Sequence, residues 1–207
     1  MSAAARIRRY RPADLDALYR ICLLTSDDGD DGSRLYPDGY LPGHLFAAPY
    51  ALFEPSLAFV AEDKDGVAGY VLGALDTAEF EQRLERDWWP RLRGRYPDPP
   101  DDGQPRGGAR MAARGIHHPF RAPAELTGSY PSHLHIDLLP RQQGRGLGRR
   151  MIATLASELR ERGSAGVHLG TSERNQRAVG FYLRLGFSQL PPHGTFRQFT
   201  LDLREPP

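Results

Sequence analysis

"LLPRQQGRGLGRRMIATLASELRERG", residues 138–163, joins an apolar run to a helix-like pattern through Gly144, Gly146 and Gly148. The run that leads into it, "SHLHIDLL", alternates His133, His135 and Asp137 with Leu134, Ile136 and Leu138. That period of two predicts a strand with the three polar groups on one face. From Gly148 to Arg162 the apolar residues recur at helical spacing instead. A strand that enters a glycine turn and leaves as a helix has unpaired N–H groups at the helix N-terminus, and phosphate is their natural partner. The glycines let a ligand approach the backbone, and the helix end with Arg145 and Arg149 favours a diphosphate. No Gly-Lys-Ser/Thr ending follows, so this is not a Walker loop. The even glycine spacing and the lack of an early strand-turn-helix unit also fit the dinucleotide fingerprint poorly. An Arg- and Gly-rich run can bind nucleic acid, but this one lies between a strand and an amphipathic helix rather than in a tail.

Outward from this stretch, strands alternate with helices. Downstream come a strand at "GVHLGT", a helix from Asn175 to Leu185, and terminal strands at "FSQL" and "TFRQFTLDL". Upstream, Arg6 to Tyr10 reads as a strand, followed by a helix with Leu15, Leu18 and Cys22 on one face. "SLAFVAEDKDGVAGYVLGAL" is a hairpin with its turn at Asp63 to Gly66. Ser26 to Tyr50 is rich in Asp, Gly, Pro and aromatics, which predicts a surface loop with at most one short helix. In "TAEFEQRLERDWWPRLRGRY" the apolar residues Phe80, Leu84 and Trp88 mark a charged helix that Pro90 kinks or ends. "PDPPDDGQPRGGAR" reads as an exposed linker.

Composition bounds the function. Two-fifths of 207 residues are apolar, enough for one domain spanning 1–207, with an insertion at about 77–129. Lys plus Arg number 27 against 26 acids, so nothing pulls the chain generally toward nucleic acid or membrane, and any basic site is local. No apolar run approaches spanning length and no signal peptide is evident, so a cytoplasmic location is expected. Cys22 is the single cysteine and reads as buried, which leaves neither an internal disulfide nor a thiol-relay motif.

Two motifs in order carry a resemblance. Gln143, Gly146 and Gly148 form Gln-x-x-Gly-x-Gly after an apolar strand; about thirty residues on come Asn175, Ala178, Phe181, Tyr182, Gly186 and Phe187. In this order they resemble the GNAT N-acetyltransferase superfamily. More narrowly, "YPSHLHIDLLP" looks like the acetyltransferase-like domain that accompanies some hydrolases of O-linked N-acetylglucosamine. The resemblance implies an α/β (α+β) fold: a mixed, mostly antiparallel sheet flanked by helices, its fourth and fifth strands splayed, with a helical insertion. It implies acetyl-CoA as donor and an amine as acceptor. The pantetheine arm would lie along Ile136, Asp137 and Leu138. The diphosphate would sit near Gln143 on the amides of Gly144, Arg145, Gly146, Leu147, Gly148 and Arg149, with Asn175 helping to hold the cofactor and Tyr182 as the acid for the leaving thiolate.

The general base is open. Where many members that acetylate protein N-termini carry a fifth-strand Glu, this chain has Gly170. Attention moves to His133, His135 and Asp137, of which Asp137 adjoins the expected thioester. A metal triad is not expected, because the ends of the trio lie roughly 13 Å apart along the strand. Solvated polar groups, a packed tyrosine at 182 and an N-cap at Asn175 are the plainer alternatives. For the acceptor, Tyr36 to Tyr40 and Trp88–Trp89 are candidate walls, with Asp27, Asp28, Asp30 and Asp31 drawing in the amine. The alternative is that these acids solvate a loop and the tryptophans fix the insertion. His44, His117, His118, His168 and His193 form no usable pattern. A protein lysine and a small-molecule amine both stay open as partner, as do a monomer and a homodimer. A catalytically inactive module binding acetyl-CoA or a partner protein is the second reading.

Overall fold

In the computed structural model, which describes residues 5–103, 107–192 and 194–204, seven strands form one mixed sheet. His193 lies outside the described residues. The strands are β1 (Arg6–Arg9), β2 (Ala58–Asp63), β3 (Gly66–Ala74), β4 (Ser132–Leu138), β5 (Gly166–Ser172), β6 (Ser188–Gln189) and β7 (Phe196–Asp202). Their order is β1-β2-β3-β4-β5-β7-β6, and the neighbours are antiparallel except for β4 and β5. The β2–β3 hairpin turns where expected, with Gly66 at a φ of 97° that a side chain would oppose.

The parallel pair makes the fold useful. One edge of β4 pairs with β3 from Ala74↔His133 to Gly69↔Leu138, whereas the other meets β5 at Ser132↔Val167 and His133↔His168 and then parts from it. Beyond His133 the sheet opens into a wedge, so backbone groups of β4 there lack a ladder partner on that side.

Nine helices among the described residues cover the sheet: α1 (Leu15–Leu23), α2 (Leu41–Phe46), α3 (Ala48–Phe53), α4 (Thr77–Asp87), α5 (Trp89–Arg93), α6 (Gly108–His117), α7 (Ala124–Ser129), α8 (Leu147–Glu161) and α9 (Gln176–Arg184). In α8, Met151, Leu155 and Leu159 recur every fourth residue and are fully buried against one face, with Val71, Leu134, Val167 and Phe199. Gly73 lets the helix come close, since a Cβ there would lie 2.8 Å from Leu155 Cδ1. The opposite face packs Val60, Tyr70 and Leu72 under Leu18, Ile21 and Cys22 of α1. A third cluster gathers Tyr36, Phe80, Leu84, Trp88, Trp89 and Ile116.

Two segments depart from the sequence reading. Residues 41–53 form two short helices rather than a surface loop, and Leu41, Ala48 and Ala51 are buried. Residues 108–129, which gave no helical signal, form α6 and α7; Ala112 and Ile116 of α6, four residues apart, anchor it in the third cluster. The 77–129 stretch holds α4 to α7, with Pro90 in the first turn of α5, so the charged helix ends at Asp87 as Pro90 requires.

Candidate active site

The wedge between β4 and β5 opens into a cavity of about 680 Å³. Its floor is Ile136, Asp137 and Leu138, and one end is the glycine turn. Gly144 and Gly146 sit at φ 71° and 74°, left-handed conformations that favour glycine, and Gly146 is the N-cap of α8. Gly148 serves a different purpose: a Cβ there would lie 2.9 Å from Phe181 Cζ, so its absence lets α9 close on α8. No side chain caps the α8 N-terminus, which leaves the first-turn amides free to bind an anion.

Ten of the twelve residues that the resemblance implies line this cavity: Ile136, Asp137, Leu138, Gln143, Gly144, Gly146, Gly148, Arg149, Asn175 and Tyr182. Leu147 and Arg145 are not on the wall. The Leu147 side chain is buried in the core, so its amide is what it can offer, and Arg145 is exposed beside the turn. Two lining residues also brace the backbone. Gln143 Nε2 donates to the Leu138 carbonyl at 2.7 Å, holding the end of β4 to the turn. Asn175 Oδ1 accepts from the Ala178 amide at 3.0 Å, so Asn175 is the N-cap of α9.

Asp137 stands directly opposite Tyr70 in the β3–β4 register, and the Tyr70 hydroxyl donates to Asp137 Oδ2 at 2.5 Å. Burial raises the Asp137 carboxyl above its usual range, while the nearby His135 and the Tyr70 hydrogen bond pull the other way. His135 presents Nε2 to the same oxygen at 3.9 Å, and its ring stacks between Tyr70 and Phe46. Its Nδ1 is buried without a partner among the described residues. His133 points into a ring cluster with Tyr50, Phe80 and His168. Burial and then His168 push its pKa down to about 3. Among the described residues no three His, Cys, Asp or Glu gather into a group that could hold a metal ion.

Tyr182 is 7% exposed, with its ring against Phe181, Phe187 and Phe199. Burial, with a smaller push from the Asp137 charge, raises its pKa, so the hydroxyl keeps its proton.

Three aspartates of the acidic loop face arginines. Arg174 Nε lies 2.9 Å from Asp28 Oδ2, and its guanidinium is 3.8 Å from Asp27. Arg177 Nη2 donates to the Gly29 carbonyl at 3.0 Å and lies 3.9 Å from Asp30, while Asp31 accepts from the Ser33 amide and hydroxyl. The loop straps the end of α1 to the start of α9, and Thr25 and Gly29 thereby join the cavity wall. Sequence reasoning missed both; Gly29 is held by Arg177 from 148 residues away. Arg177, Ala178, Phe181 and Arg184 were also missed as lining, although their spacing from the Asn175 cap places them on one helical face. Tyr36, Trp88 and Trp89 are buried, and Trp88 Nε1 donates to the His44 carbonyl at 2.9 Å. Trp88 and Trp89 pack the insertion into the third cluster beside Tyr36, while Tyr40 of the same candidate wall is exposed.

Comparisons with known proteins agree with this geometry. Residues 24–187 match the model of the acetyltransferase (GNAT) family. The crystal structure of SsHAT is 40% identical and superposes with a TM-score of 0.89, covering 98% of this chain and 100% of that one. Salmonella typhimurium yncA, solved with its cofactor acetyl-CoA, shares the fold at 17% identity and a TM-score of 0.57, with 98% and 95% of the two chains covered. The Protein O-GlcNAcase of Rattus norvegicus is 27% identical over 180 residues, 87% of this chain. The chain spans about a fifth of that protein's length, the match covering 20% of it, so the similarity concerns one region of a longer relative. The family match and the SsHAT likeness together show that the chain belongs to the GNAT acetyltransferase family.

Proposed function

We propose that the chain is an acetyl-CoA-dependent N-acetyltransferase acting on an amine, with residues 1–207 as one domain. The observation that carries this reading is the uncapped α8 N-terminus, which faces a cavity walled on one side by Asp137 and Tyr182. The residues fit the group: free amides and Arg149 for the diphosphate, and the open edge of β4 for the pantetheine arm. Arg145 and Leu147 take part through the turn backbone. Bound there, acetyl-CoA supplies an acyl thioester whose carbon takes the amine as the C–S bond breaks.

Asp137 accepts a proton from the incoming ammonium, so that the neutral amine can attack. Burial strengthens the carboxylate as a base, and Tyr70 keeps it in place. The Tyr182 hydroxyl protonates the departing sulfur. The ammonium gives up two protons in all, one to the thiol and one to solvent, and the products are an amide and a free thiol. The acceptor is a small-molecule amine or a protein lysine, met by a monomer or homodimer.

Gly170 favours a second reading, in which the module binds acetyl-CoA without turnover. It lies opposite Gln198 on β7, with no side chain to act as base. Calorimetric titration of acetyl-CoA, followed by thiol release over a panel of amines, tests both. Failure of well-folded protein to bind acetyl-CoA removes both cofactor readings; binding with no release on any amine leaves the second.

A further inference from the structure

The acceptor side of the site is built around a gap. Asp137 Oδ2 and His135 Nε2 are 3.9 Å apart, too far for a hydrogen bond to each other. A nitrogen about 2.8 Å from each fits between them with an angle of roughly 90° at that nitrogen, close to what two N–H bonds of one amine can serve. The Asp137 and His135 side chains are 19% and 28% exposed, so a ligand can reach the gap. Tyr70 fixes the carboxylate, and the ring stack of Tyr70 and Phe46 fixes the imidazole. With His135 Nδ1 buried and unpartnered, Nε2 is the ring nitrogen free to meet a ligand, and no protein group dictates its tautomer.

The charges around the gap limit what enters. Among the described residues lining the cavity, Asp137 is the one acid, against Arg149, Arg177 and Arg184. Asp27, Asp28 and Asp30 face arginines. The described lining of the cavity beside the gap thus offers one carboxylate, enough for one ammonium group. Beside the gap stands Phe46, 43% exposed and stacked on His135, an apolar platform open to solvent.

We propose, resting on the N-acetyltransferase reading, that the acceptor nitrogen docks between Asp137 Oδ2 and His135 Nε2, and that the acceptor is a primary monoamine with an apolar group that lies on Phe46. The ammonium donates one N–H to the carboxylate, which takes that proton, and a second to Nε2 when Nδ1 carries the ring proton. A polyamine satisfies the gap with one end and leaves its remaining charge over the apolar ring of Phe46.

The test uses the purified chain, acetyl-CoA, and three amines: hexylamine, 2-phenylethylamine and spermidine. The expected result is kcat/KM for both apolar monoamines at least about tenfold above spermidine. His135→Ala raises the monoamine KM by about tenfold with a smaller change in kcat, and His135→Gln recovers part of it. Acetyl-CoA affinity, read by calorimetry, stays the same in both variants. Preference for spermidine, turnover of spermidine with none of either monoamine, or an unchanged monoamine KM in His135→Ala overturns the inference. Failure of the unaltered protein to bind acetyl-CoA, or binding with no turnover of any of the three amines, instead overturns the reading beneath it.

Discussion

The Tyr70 hydroxyl, fully buried on β3, donates at 2.5 Å to Asp137 Oδ2, directly across the ladder on β4. Two effects oppose each other at the carboxyl: burial raises the Asp137 pKa, and the Tyr70 bond lowers it. Tyr70→Phe keeps the ring and removes the restraint, so the carboxyl holds its proton to higher pH. The acidic limb of the rate profile is expected to move upward. A variant whose limb stays in place, with activity otherwise reduced, would show that Tyr70 acts through packing alone.

Asp137→Asn separates catalysis from stability. If Asp137 is the base, as proposed, the variant is expected to lower thiol release by about 100-fold or more. The folded-state pKa lies above the ordinary 3.8, so the stabilising protonated form is complete below 3.8 and lost as pH rises through the raised value. At neutral pH the ionised carboxylate therefore weakens the fold, and the amide removes that cost. Thermal melts should show the variant more stable than the parent at pH 7, with the gap closing toward pH 4. A variant less stable at pH 7 contradicts the assignment.

Tyr182→Phe removes one hydroxyl and leaves the contacts with Phe181, Phe187 and Phe199 intact. Stability is expected to change by less than about 0.5 kcal/mol. Acetyl-CoA affinity should hold while turnover falls about 100-fold, the scale of a lost general acid. Equal turnover in the variant would return Tyr182 to a packing role.

The glycines of the turn answer to different forces. Gly146→Ala meets no atom within 4 Å, but its φ of 74° strains any side chain, and the expected loss is about 1–2 kcal/mol of stability. Gly148→Ala has ordinary backbone geometry and instead presses its Cβ onto Phe181 and Leu138, two walls of the cavity. Calorimetry should find acetyl-CoA binding weakened by about tenfold or more in Gly148→Ala. Unchanged affinity there would mean that Phe181 yields freely.

What the sequence carried was local or periodic: the hairpin at Asp63 to Gly66, the stripe of α8, and the strand-turn-helix at 132–161 all follow from spacing and turn chemistry. The helices at 41–53 and 108–117 were hidden by Pro42, Gly43, Pro49, Gly108 and Gly115, residues of low helix propensity whose neighbours hold the helix through tertiary burial. In the site, the strand alternation placed His135 and Asp137 on one face, but not their partners. Tyr70 meets Asp137 from 67 residues away, and the acidic loop meets Arg174 and Arg177 from the far end of the chain. Charge composition alone cannot show that a run of aspartates is already paired.

His133 supplies an acid-sensitive element apart from catalysis. Its Nδ1 lies 2.8 Å from Thr77 Oγ1, and that hydroxyl spends its single proton on the Pro131 carbonyl at 2.7 Å. Nδ1 is therefore the donor, and burial keeps the ring neutral near pH 7. Burial has pushed its pKa from 6.5 down to about 3, so the fold binds fewer protons here than the unfolded chain does. The contribution is complete above 6.5 and is lost as pH falls from there toward 3. Asp63, lowered to about 2 by Arg141, acts in the same direction but only below about 4. His133→Phe keeps the ring contacts with Tyr50 and Phe80 and cannot take up the proton. Between pH 6.5 and 4.5 the parent's melting temperature should fall more steeply than the variant's; parallel curves through that window would show that His133 does not carry the acid sensitivity.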